Sequence, residues 1–321
     1  MAFPDIRQIK QTAAQRVAQC SNARRIILIH GGIPVALSLV LTFLSYLLSQ
    51  KIADTGGLGG LGMRSVLETL QSMLQIISSV FSVFWAFGYS RVLLHWARGE
   101  NACDRDLLAG FRRWGAVLRS TLLQAGIYLA LVFLAIQISS IVFAATPMAE
   151  AMAQLAQKMM QDMNYMPTDA ELLDAMAGYL PFLLVCLALT VLPVAYRLRM
   201  MDLALMDAPD TGAFFAMRMS LFATRRNCLK LVKLDLSFWW YYLLELLTGV
   251  VYYSDVILEL WGVEVGISSG ALLFIACVIG LGLQLGLYVW RRNQVMTTYA
   301  MVYEQLKYVP EPMPAQDAGG M

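Results

Sequence analysis

Charge, histidine and catalytic motifs are what this sequence has least of. Asp, Glu, Lys and Arg make up 14% of the residues, against about 25% in an ordinary soluble domain, which excludes a normally hydrated surface. Only two histidines occur, His30 and His95. The five cysteines (Cys20, Cys103, Cys186, Cys228, Cys277) are scattered without a close pair or a His partner at ligand spacing, so neither a zinc site nor a disulfide framework is suggested. There is no HExxH, no phosphate-loop lysine pattern and no GxSxG, so hydrolytic and phosphoryl-transfer chemistry have no motif behind them. Gly57, Gly59 and Gly62 match GxGxxG formally. They stand between two apolar runs with no strand before them, which is the context of a connector and not of a dinucleotide site. No enzymatic activity, cofactor or nucleic-acid partner is expected.

What fills the sequence instead is apolar: 59% hydrophobic residues over 321 positions, with a mean hydropathy of +0.60. Six runs, at 26–49, 68–94, 117–145, 179–200, 232–252 and 269–290, reach the roughly 20 helical residues that a 30 Å hydrocarbon layer requires. None alternates with the two-residue period of a barrel strand, and lipid offers no partner for an unpaired amide, so the runs are read as helices. The first is longer than a signal-peptide core and is followed by no small-residue cleavage site, which marks a retained span. The fold class is all-α: a polytopic bundle over 1–309, with a tail at 310–321 whose Pro, Gly and Ala exclude a packed core.

The net charge of +2 conceals an asymmetry. With the N-terminus inside, 21 of the 24 basic residues fall in inner segments, leaving Lys51, Arg64 and Lys158 outside. The inner side then carries +10 and the outer side −7, which assigns both termini to the cytoplasm. Each odd-numbered run follows a basic, amphipathic segment, at 5–25, 104–114 and 211–230. A unit of interfacial helix, outward span, outer loop and returning span used three times fits this pattern, as does a plain six-helix protein with Arg-rich inner loops. Basic interfacial helices put cations beside anionic headgroups, which nominates Arg24, Arg25, Arg112, Arg113, Arg225, Arg226 and Lys230 for lipid contact. Trp96, Trp114, Trp239, Trp240 and Trp290 fall near the inner interface and Trp261 near the outer one, while Trp85 sits deeper.

Glu245 is the most unusual residue, a carboxylate near the middle of the fifth run. It must face the bundle, be protonated or touch water, with Gln284, Thr248, Ser78, Ser79 and Ser82 as its partners. Structural glue and a proton- or ligand-linked site both remain open. Ala276, Gly280, Gly282 and Gly286 allow close helix approach in the sixth run, and Pro193 kinks the fourth or ends its regular part. The loop at 146–178 is helical in pattern, with a stripe of Met148, Met152, Leu155, Met159 and Met163 that reads as a packing face before it reads as a Cu(I) site.

Residues Ser220, Asn227, Lys230, Leu234, Leu236, Ser237 and Phe238, followed by Leu247, Thr248 and Gly249, resemble an uncharacterised family of bacterial integral membrane proteins. The family is labelled domain of unknown function nine-seven-five. Tyr196, Ala204, Asp207 and Pro209 upstream, Thr298 and Tyr303 downstream, and the opening stretch 6–25 are similar to the same family. Thr224, Arg226, Val232, Asn293 and Gln294 depart from its pattern, marking a divergent member. The family is distantly similar to the membrane domain of some glycerophosphodiester phosphodiesterases. The resemblance implies a multi-span protein and carries no activity or site residue. The expected role is a non-enzymatic module that engages anionic lipid or a partner membrane protein; the alternative is a small transporter or channel with a polar path at Glu245.

Overall fold

The computed structural model describes residues 5–54, 60–146, 149–161, 168, 178–208, 210–252 and 269–307. The described residues are helical, without strands. In chain order the helices are α1 (Ile6–Gln19), α2 (Ala23–Asp54), α3 (Gly60–Arg98), a 3₁₀ turn (Asp104–Leu108), α4 (Ala109–Arg112), α5 (Trp114–Ala144) and α6 (Ala149–Gln161). They continue as α7 (Tyr179–Leu198), α8 (Met201–Asp207), α9 (Ala213–Thr224), α10 (Cys228–Leu236), α11 (Trp239–Tyr252) and α12 (Ser269–Leu287). A π turn (Tyr288–Arg292) then leads into α13 (Asn293–Leu306).

Among the described residues four segments are long and apolar enough to cross a membrane: Ala23–Leu41, Ser72–Arg98, Trp114–Ala144 and Tyr179–Asp207. Between none and a third of each is buried within the protein, so their apolar surface needs lipid for cover. Helices α2 and α3 pack as a pair, as do α5 with α7 and α11 with α12, and α12 also lies against α2.

The buried core lies at the end of these pairs and not between them. Its centre is α13, where Asn293, Val295, Thr297, Thr298, Tyr299, Ala300, Met301, Val302, Tyr303 and Leu306 are all buried. Around it stand Ile9 and Ala13 of α1, Val92, Leu93, Leu94 and Trp96 of α3, Leu203 to Met206 of α8, and Leu231 and Leu234 of α10. We call this end the basal pole. Asp5 starts α1 by accepting from the Arg7 amide at 3.2 Å, an N-cap. Gly99, at φ +78°, ends α3, with its amide donating to the Trp96 carbonyl and that of Glu100 to His95, the glycine-closed helix end that a left-handed residue permits.

Several sequence expectations shift. The segment 104–114 is a 3₁₀ turn and one turn of α-helix, held by the Cys103 amide donating to Asp106 at 2.8 Å, and 211–230 divides into α9 and the start of α10. The run 232–252 is broken at Ser237 and Phe238 because Asp235 is drawn into the basal pole by Tyr196, Arg199 and Tyr242. Trp96 is fully buried in the core, whereas Trp114, Trp239 and Trp290 are exposed. Pro193 sits inside α7, which runs on to Leu198. The glycine motif's Gly57 and Gly59, Met148 and Met163 of the methionine stripe, Trp261 and the tail lie outside the described residues; α6 carries the rest of that stripe.

Two glycines set how closely the 104–112 segment lies on α3. A Cβ on Gly88 would come within 1.8 Å of the Leu107 carbonyl oxygen, and one on Gly110 within 2.0 Å of that of Phe84. Backbone cannot yield to such contacts without moving the whole segment. Gly88→Ala and Gly110→Ala are each expected to destabilise by about 1–3 kcal/mol, read as a lower unfolding midpoint in detergent. Gly126→Ala in α5, where an added Cβ meets nothing within 4 Å, leaves the midpoint unchanged or raises it slightly.

Candidate functional site

The chain leaves the 104–112 segment through a bend at Arg113 and enters α5 at Trp114. Arg113 turns inward, and its guanidinium donates to the backbone carbonyls of Leu205, Ala208 (3.3 Å) and Thr211 (3.4 Å). A cation is favoured there, at the C-terminus of α8, because the last carbonyls of a helix are otherwise unpaired. Burial lowers the pKa of Arg113 and nearby Arg91 adds to the effect, while Asp210 opposes both. Gln124 of α5 donates to Asp202 of α8 at 2.8 Å, so the start of α5 is held against α8 at two levels.

This anchoring opens a cleft of about 1020 Å³ lined by Arg112, Arg113, Trp114, Arg119, Asp210 and the start of α9, with Leu122 and Leu123 on the α5 wall. Arg112 and Arg119 are exposed. Trp114 and Phe214 are 65% and 69% exposed beside them. A Cβ on Gly115 or Gly212, both lining residues, would meet nothing within 4 Å. Cations, an amphipathic ring and an apolar wall thus meet at the end of a membrane-length helix, which is the chemistry of a lipid headgroup boundary. A smaller cleft of about 490 Å³ lies between the α1–α2 elbow and the π turn, lined by Arg24, Ile27, Val289, Trp290 and Asn293 among others.

The other headgroup nominees have separate placements. Arg25 pairs with Asp104 at 2.6 Å on the surface. Arg225 and Arg226 stand exposed in the turn between α9 and α10, and Lys230 is exposed on α10.

Among the described residues the ion-pair partner of Glu245 is Arg292 of the π turn, at 3.6 Å. Gln284 lies partly buried on α12, and Thr248 donates to the Glu245 backbone carbonyl at 2.7 Å. Arg292 also lies 3.9 Å over the Tyr288 ring. The next residue, Asn293, accepts from the Tyr89 hydroxyl and donates to the Tyr288 carbonyl at 2.7 Å. His30 is buried with its ring stacked on Tyr89 at 3.8 Å, its Nδ1 without a hydrogen-bond partner among the described residues. His95, on α3, meets Glu100 at 2.7 Å.

Two polar networks at the basal pole escaped sequence reasoning, which counted their cations only among the inner positive charges. Arg98 donates to Glu304 through Nε (3.0 Å) and Nη2 (2.7 Å) and also meets Asp207. Lys307 joins Asp207 at 3.3 Å and Glu304 at 2.7 Å. Burial, reinforced by Asp207, raises the pKa of the Tyr303 hydroxyl, which donates to that carboxylate at 3.1 Å. In the second network Asp235 accepts from Tyr196 (2.6 Å), Tyr242 (2.8 Å) and Arg199, and Arg199 lies 4.0 Å over the Tyr299 ring. Lys10 donates to the Ser237 carbonyl at 3.0 Å; burial lowers its pKa and Arg291 adds to this. The only sequence signal for these networks was the presence of acids among the inner arginines.

Among the described residues no group of three or more His, Cys, Asp or Glu side chains is placed to hold a metal. No family model, curated protein or solved structure matches this chain.

The pair at Glu245 has a definite signature. Glu245→Gln leaves Arg292 without its counter-charge and is expected to destabilise by about 1–3 kcal/mol. Glu245→Gln with Arg292→Gln recovers part of that loss, measured as the coupling term of a double-mutant cycle on detergent unfolding midpoints.

Proposed function

We propose that this chain is a six-span bacterial plasma-membrane protein, with the basal pole and both termini in the cytoplasm, and that it engages anionic lipid without catalysing a reaction. The observation that carries this reading is the cleft at the start of α5. There Arg112 and Arg119 face outward without an ion-pair partner among the described residues, next to an exposed tryptophan and phenylalanine. The positive-inside count supports the orientation. The apolar α12, 19 residues long, and α11 paired with it support the last two crossings. The three helix pairs, each preceded by a basal segment, support a repeated unit. Bound lipid would then be held in a collar around the pole, where the protein organises lipid or a neighbouring membrane protein. The resemblance to the uncharacterised family fits this reading as divergent membership and adds no activity. A transport path at Glu245 has less support, because Arg292 meets the charge that such a path would use.

The test is native mass spectrometry of the full chain from nanodiscs of neutral lipid doped with an anionic one, at low salt. Wild type is expected to retain the anionic lipid in excess of its mole fraction. Arg112→Gln with Arg119→Gln removes two contacts worth about 1 kcal/mol each, a fall of roughly tenfold or more in that excess. Equal retention of anionic and neutral lipid by wild type would refute the reading. Proteoliposome flux lost in Glu245→Gln would move the assignment to transport.

A further inference from the structure

We infer that α6 is an interfacial helix, lying in the plane of the bilayer at the end of α5 remote from the basal pole, with its methionine stripe against the acyl chains. The stripe reads from the sequence as a packing face, yet among the described residues α6 takes no part in the helix packing that builds the protein. Its described side chains are exposed except for Ala149 and Leu155, which are partly buried. A helix of 13 residues is marginal in water without packing, so its apolar side needs a cover. Met152, Leu155, Met159 and Met160 share one arc of the helix, and Glu150, Gln154, Gln157, Lys158 and Gln161 share the opposite one. Glu150 and Lys158 balance in charge. Such a helix is too polar to enter the hydrocarbon and too apolar on one side to stay in water, which is the condition for lying in an interface.

The level of α6 is set by α5. That helix has 31 residues, about 46 Å at 1.5 Å per residue, which matches the roughly 40–45 Å of a bilayer with its headgroup layers. It starts at Trp114, beside the cleft arginines, so its end at Ala144 reaches the opposite headgroup layer. The turn that follows is hydrogen-bonded on both sides of Thr146. The Thr146 amide donates to the Phe143 carbonyl at 2.8 Å and its hydroxyl to the same oxygen at 2.6 Å, while the Ala149 amide donates to the Thr146 carbonyl at 3.1 Å. Tyr179 of α7 meets the Ser139 hydroxyl at 2.8 Å and packs its ring on Phe143 at 5.4 Å, placing an aromatic pair where such rings gather at an interface. Ile141 is 71% exposed and Val142 is exposed beside it, so the lipid-facing surface of α5 runs to within a turn of its end. Turned toward the membrane, the apolar arc of α6 continues that surface and the polar arc meets water. Turned toward a second copy, the same arc would have to leave it. The contact needs no anionic lipid, and it is independent of the arginine cleft.

The test uses the full chain in nanodiscs of phosphatidylcholine, with Met152, Met159, Gln154 or Gln161 replaced one at a time by the photoreactive p-benzoylphenylalanine and the irradiated products read by intact mass spectrometry. Lipid adducts are expected from the Met152 and Met159 positions in at least fivefold excess over those from Gln154 and Gln161. Met152→Asp with Met159→Asp is expected to speed amide hydrogen exchange across 149–161 at least tenfold in the nanodisc, with an unchanged unfolding midpoint because no core residue is touched. Gln154→Asp with Gln161→Asp adds the same charge to the polar arc and leaves that exchange as in wild type. Lipid adducts in equal yield from both arcs, or exchange in wild type already as fast as in the Met152→Asp, Met159→Asp pair, would overturn the inference. Products of doubled mass would make the stripe a contact between two copies, and cross-links within one chain would make it an internal packing face; either result overturns the membrane assignment.

Discussion

The basal pole depends on one guanidinium. Arg98 closes α3, and from that position it meets Glu304 of α13 and Asp207 of α8 at once. Three helices far apart in sequence are tied where apolar packing alone would let them slide. The tie works because neither acid relies on Arg98 alone: Tyr303 and Lys307 complete the shell around Asp207. A buried charge left unmatched costs several kcal/mol, so a set that satisfies itself also fixes a single arrangement. The packing of α13 against α1, α3 and α9 is built around that arrangement.

The same pole sorts its arginines into two kinds. Arg98, Arg113 and Arg199 turn inward and spend their donors on carboxylates, carbonyls and aromatic faces. Arg24, Arg112, Arg119, Arg225 and Arg226 stay on the surface. In sequence the two kinds are indistinguishable, since Arg112 and Arg113 are neighbours with opposite fates. A bend of the chain between α4 and α5 separates them, sending one guanidinium under α8 and leaving the next one outside.

How much was legible follows from this. Apolar length is a local property, so the helices over 26–49, 68–94, 117–145 and 179–200 could be read directly. Whether a charged residue is a surface cation or a core tie depends on partners about 100 or 200 residues away, as for Arg98 with Asp207 and Glu304. Asp235 shows the cost of missing such a partner: the run 232–252 looked continuous, and only the draw of Tyr196 and Arg199 explains the break at Ser237. Glu245 was legible as anomalous, but Arg292 was legible only as one of the inner cations, because the π turn that brings it back to α11 has no sequence signature. Tyr196, Asp207, Ser220, Asn227 and Tyr303, each singled out in the sequence, prove to be basal-pole residues whose side chains hydrogen-bond backbone carbonyls or other basal-pole side chains.

Because α13 follows every other described helix in the chain, the protein is assembled in an order that its geometry makes unavoidable. The membrane-length helices can enter lipid as they are synthesised, pair by pair, on their own hydrophobicity. The pole beneath them cannot consolidate until α13 arrives, since Ile9, Ala13, Val92 and Trp96 have their neighbours on it or around it. Until then Arg98 and Asp207 face water as half-formed partners. Insertion and folding are therefore two separate events for the described helices, the second waiting on α13.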